Sequence, residues 1–145
     1  MRIAPLCVLM ALAACGCSQF ETDWRSDAVR KVDAGRDELA GRWKGGWKSE
    51  KSGHGGSLRA IVTKLDENTY RARFDASWAM LMRFGYEMKL TPDRQDGVAY
   101  LNGEQNIGEK FGGVYQYEGK ADGKIYRCNY RTKNDYGQFR MTRPK

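Results

Sequence analysis

The sequence predicts an all-β domain: a small antiparallel up-and-down β-barrel of about eight strands, preceded by a signal peptide and a short tether or helix. Three observations carry this expectation. From Leu39 onward apolar and polar residues alternate with a period of two. Side chains alternate across a strand, so such runs are strands with one dry and one wet face. Turn-forming clusters punctuate the runs at short intervals, and no helical segment separates them, which points to an antiparallel meander. Eight such strands with one apolar face close into a barrel that exposes no sticky edge.

In chain order, the first element is a leader. Met1-Arg2 supplies a short positive region, Ile3 to Leu12 an apolar stretch, and Leu12-Ala13-Ala14-Cys15 follows. The apolar stretch is far shorter than the roughly 20 residues that span a bilayer, so residues 1–14 read as a secretory signal. Leu12-Ala13-Ala14-Cys15 resembles the bacterial lipobox. The resemblance implies diacylglyceryl modification of Cys15, cleavage before it and a lipid anchor, each buried CH₂ contributing roughly 0.8 kcal/mol. Gly16 rather than Asp follows the cysteine, which by resemblance to the enterobacterial sorting rule implies the outer membrane, with the domain facing the periplasm or the exterior. The alternative is an ordinary signal peptide with an incidental cysteine.

Residues 15–38 form the lipidated N-terminus and tether. Gln19 to Glu38 holds six acidic and four basic residues. Trp24, Ala28 and Val32 recur every four residues, the spacing of a short helix lying on the domain; a solvated linker is the alternative. In an oxidising envelope Cys17 and Cys128 are able to pair, although Cys128 between Tyr126 and Tyr130 also reads as a small buried hydrophobe.

The barrel domain spans residues 39–145, with twenty basic and twelve acidic residues. Its first strand holds "GRWKGGWKS", Gly41 to Ser49: Trp43, Gly45 and Trp47 share one face, Arg42, Lys44 and Lys48 the other. Gly45 leaves room for bulky rings or a sharp bend. Ser57 to Leu65 follows, then "TYRARFDASW", with Tyr70, Phe74 and Trp78 inward and Arg71, Arg73 and Asp75 outward. "RFGYEMKL" places Phe84, Tyr86, Met88 and Leu90 inward. Val98 to Gly103, Gly113 to Glu118, "IYRCNYR" with Tyr126, Cys128 and Tyr130 inward, and Gln138 to Arg143 complete the count. Pro92-Asp93 with Asp96-Gly97, and Ala121-Asp122-Gly123, are among the turns.

Gly41-Arg42-Trp43 at the first strand resembles the Gly-x-Trp signature of the calycins, the lipocalin, fatty-acid-binding and avidin-type barrels. The resemblance implies that Trp43 closes one barrel end and that a basic residue of the last strand, Arg140 or Arg143, packs across it. The later lipocalin motifs and a C-terminal helix are missing, so the resemblance speaks for architecture and leaves the ligand open.

Catalysis is not expected. His54 lies in a Gly-rich turn, a poor place for a general base, and "GHGGS" and "FGGVY" precede strands rather than the helix N-terminus of a phosphate cradle. Two cysteines and one histidine do not make a metal site, and no cofactor is implied. The arginines are spread over several strands with acids interleaved, which reads as a solvated outer face rather than a nucleic-acid footprint. Two functions remain. In the first, a barrel interior of Trp43, Trp47, Tyr70, Phe74, Trp78, Phe84, Tyr86, Tyr115, Tyr117, Tyr126 and Tyr130 takes a small apolar or aromatic ligand. In the second, those rings fill the barrel, and an envelope inhibitor or assembly factor acts through its loops. Met80 and Leu81 in "SWAMLMRF" would then be the patch that meets a partner or membrane.

Overall fold

A computed structural model describes residues 19–33, 35, 37–79 and 82–145. The signal, Cys15, Cys17, Met80 and Leu81 lie outside the described residues. Among the described residues two short helices, α1 (residues 19–25) and α2 (Asp27–Asp33), precede nine strands. The strands are β1 (Gly41–Ser49), β2 (Gly55–Lys64), β3 (Tyr70–Trp78), β4 (Met82–Leu90), β5 (Asp93–Gln95), β6 (Val98–Asn106), β7 (Val114–Ala121), β8 (Ile125–Arg131) and β9 (Tyr136–Thr142). A 3₁₀ turn, Glu109–Phe111, connects β6 to β7.

The strands form one antiparallel sheet in the order β4-β3-β2-β1-β9-β8-β7-β6-β5. The first strand pairs with the last, Trp47 opposite Phe139 and Gly45 opposite Met141. The sheet curls until β4 approaches β6, and there a side chain replaces the ladder. The Gln105 amide accepts from Lys89 N at 2.9 Å and donates to Glu87 O at 3.1 Å, satisfying edge groups that would otherwise be unpaired. Eight long strands match the sequence expectation. The ninth, β5, falls in the stretch read as a turn: Asp93–Gln95 pairs with Val98–Tyr100 across Asp96-Gly97.

One end of the barrel is solid. Trp43, Tyr70, Tyr126, Leu39, Leu90 and Met141 are fully buried there. Trp43 meets Tyr126 edge-on at 5.5 Å and donates its indole N–H to Leu39 O at 2.8 Å. Arg143 lies over the Trp43 ring, its guanidinium carbon 3.8 Å from the centroid. It donates to the carbonyls of Gly123, Arg42 and Asp37 at 3.1, 3.2 and 3.3 Å. Asp37 completes the floor by accepting from the amides of Leu39 and Ala40 and from the Tyr70 hydroxyl.

The helices lie on the outer face of β1, β2 and β3, and Trp24 is the one residue of the expected stripe that makes the contact. Ala28 and Val32 are exposed; Phe20 and Trp24 make the contact. The two rings stack on each other, and the Arg59 guanidinium lies 5.1 Å from the first and 5.0 Å from the second. Arg42 covers Trp24 and Arg73 covers Phe20. Acids on the helices close the ion pairs: Glu21 with Arg59 at 2.8 Å, Asp23 with Arg73 at 2.6 Å, Asp33 with Arg42 at 2.8 Å. Asp75, expected on a wet face, is buried, because Arg59 and Arg83 both bond to it beside the helix.

Candidate functional site

The opposite end is hollow. A cavity of about 290 Å³ opens there, with the β6–β7 and β8–β9 connections at its mouth. Trp47, Phe84, Tyr86, Tyr115 and Tyr130 line it, with Leu58, Ala76 and Phe139 toward the core and Ile107, Lys110 and Asp135 toward the mouth. The predicted interior rings therefore divide. Trp43, Tyr70, Phe74 and Tyr126 are buried core, five surround the cavity, Tyr117 packs half-buried against the core, and Trp78 lies outside it. Tyr117 lines a separate polar groove with Asn102 and Glu118. Trp78 is at the rim, about a third exposed, with its ring 5.8 Å from that of His54.

The cavity walls are ring faces. Phe74 and Tyr86 stack at 4.8 Å and 11°, and Tyr115 and Tyr130 at 5.7 Å and 9°. Tyr86 and Tyr115, 6.1 Å apart and tilted by 45°, join the two stacks. Burial pushes both phenols above their ordinary range, so both stay neutral. The Trp47 N–H is taken up by Ser77 O at 2.9 Å, which fixes the indole as a wall. At the mouth Asp135 accepts from Tyr130 Oη at 3.0 Å and from the buried Ser49 Oγ at 2.5 Å. Burial, then the hydrogen bond to Asp135, raises the Tyr130 phenol too. The 3₁₀ turn that brings Lys110 over the opening is bracketed by Gly108 at φ 97° and Gly112 at φ 96°, a region L side chains avoid.

Alternation made most ring positions readable, but Ile107, Lys110 and Asp135 were missed: each lies in a turn, where no period says which way a side chain points. Of the two candidate cations at the closed end, Arg143 packs on Trp43 and Arg140 is exposed on the outer face. Cys128 is buried in the core, where burial pushes its thiol up to about 12. Neither His nor Cys lines the cavity among the described residues. The arrangement holds flat apolar surface and offers a few hydrogen bonds at its mouth.

No family model and no curated protein matches this sequence. Among solved structures the chain is similar to a redesigned β-barrel, mFAP1, bound to DFHBI. The TM-score is 0.55 and the identity 12%, over 75% of this chain and 97% of that one. It is also similar to a de novo designed fluorescence-activating β-barrel, with a TM-score of 0.52 and 12% identity over 79% and 99% of the two chains. At such identity the likeness is one of fold: this chain is a β-barrel of the same build, with a buried aromatic cluster of its own.

Proposed function

We propose that this chain is a cell-envelope lipoprotein, anchored through Cys15, whose barrel binds a small planar aromatic ligand and performs no catalysis. The observation that carries the ligand reading is the asymmetry of the barrel: one end is plugged by Trp43 and Arg143, the other left open over stacked rings. The cavity of about 290 Å³ is roughly twice the 150 Å³ that takes a benzene, so a two-ring compound fits. Similarity to a designed barrel bound to DFHBI supports this use of the fold.

Titration with 2-naphthol, followed by Trp47 fluorescence, tests it. Saturable quenching is expected, weakened at least tenfold by Ala76→Phe, which fills the cavity from β3. Quenching that Ala76→Phe leaves unchanged would place the probe elsewhere and defeat the ligand reading. The anchor has its own test: Cys15→Ser should move the chain from the membrane to the soluble fraction. A second reading, partner binding at the rim, draws on Met82, 57% exposed beside Trp78. It gains ground if the wild-type chain ignores planar compounds altogether.

A further inference from the structure

Arginines and lysines on the outer face are treated in two different ways. On β1, β2 and β3, Arg42, Arg59 and Arg73 are paired with helix acids. Half-way round the sheet order the opposite holds. Lys120 on β7 stands opposite Arg127 on β8, and Arg127 opposite Arg140 on β9. Arg140 in turn faces Gly46 on β1, with Lys44 and Lys48 two residues to either side. All five cations are exposed, and none has an acidic partner within 4 Å among the described residues. Like charges directly opposite one another on neighbouring strands destabilise a sheet. Three in one row, uncompensated, are explained by a ligand that supplies the anions.

We infer that this stripe is a docking surface for an anionic polysaccharide chain. Four strands at the usual spacing of about 4.8 Å make the stripe roughly 14 Å long, the footprint of an extended polymer rather than of a single small anion. A polymer with a carboxylate on each sugar lays a regular row of anions across these strands. Tyr100 extends the row at its far end. It stands opposite Lys120 and is 42% exposed, which offers a ring face to the apolar face of a sugar. A bilayer surface fits less well. If Cys15 carries lipid, the four residue steps to Gln19 span at most about 14 Å, which keeps the membrane near α1 on β2 and β3 and turns the stripe away from it. That orientation alone rests on the lipoprotein reading; the binding itself does not.

The test uses the full chain in non-ionic detergent and a labelled oligogalacturonate, read by fluorescence anisotropy at several salt concentrations, with neutral dextran and oligo-dT as competitors. With five cations engaged, the slope of log K against log salt is expected near about −3.5, by analogy with single-stranded polyanions. The variant K120Q/R127Q/R140Q is expected to bring it to about −1.4 and to weaken binding at least thirtyfold at low salt. Tyr100→Ala is expected to weaken binding several-fold with the slope unchanged, which separates stacking from charge. An unchanged β-sheet circular dichroism spectrum and an unchanged melting temperature in both variants show that they fold. The proposal is overturned if oligogalacturonate does not bind at low salt, if the triple variant binds it as well as the parent, or if oligo-dT binds more tightly.

Discussion

At Arg143 three main-chain carbonyls from separate parts of the chain converge on one guanidinium, and the Trp43 ring lies against its face. Burial lowers its pKa from the ordinary value, against the opposing pull of Asp33 and Asp37, yet a guanidinium stays charged. Arg143→Ala leaves those carbonyls without their donor and uncovers the indole, so urea denaturation should show a loss of about 2–4 kcal/mol. Arg143→Lys keeps the charge without the planar fork and should fall between. The Gly-x-Trp resemblance pointed to this contact but left two arginines open. Parity separates them: Phe139, Met141 and residue 143 share one face, and Arg140 the other. Gly45 is resolved likewise. A Cβ there would lie 1.9 Å from Arg140 O, so the glycine permits a close approach of β1 and β9 rather than a gap for the tryptophans.

Helix α1 is an element held by charge as much as by apolar contact, and its docking should depend on pH. The Arg73 hydrogen bond to Asp23 and the Arg59 hydrogen bond to Glu21 hold both carboxyls below their usual range. A carboxylate with a depressed folded-state pKa stabilises fully above the unfolded value, near about 4, and loses that contribution as pH falls through the folded value. Acidification from pH 5 to pH 2 should therefore release the helix, seen as a change in Trp24 fluorescence, before the barrel loses its β-sheet circular dichroism. In Phe20→Ala the same change should begin at higher pH. Simultaneous loss of both signals would show that helix and barrel melt as one. Apolar spacing suggested Trp24, Ala28 and Val32 because a four-residue repeat is what a greasy interface looks like. This interface is instead two rings between arginines, and those arginines occupy strand positions that alternation assigns to water.

Over the whole molecule, the meander, the inward rings and the Trp43 strand were legible because strand alternation is a local property. What alternation does not contain is height along the barrel axis. Whether Trp47 and Tyr86 meet core or empty space depends on strand tilt and on how the connections surround one mouth, and both are properties of the curled sheet as a whole. The charge pattern shows the same limit. Acids and bases interleave along the sequence, yet in space the helix acids gather on one side of the barrel and a row of bases is left on the other.

The central claim is that one barrel end is closed and the other holds a ligand, and native mass spectrometry of the exported full chain tests it most directly. A reproducible adduct should appear that is lost on denaturation and absent from Ala76→Phe, with a mass suited to a two-ring compound. A clean apo mass for both chains, unchanged after incubation with 2-naphthol and with envelope extracts, would contradict it.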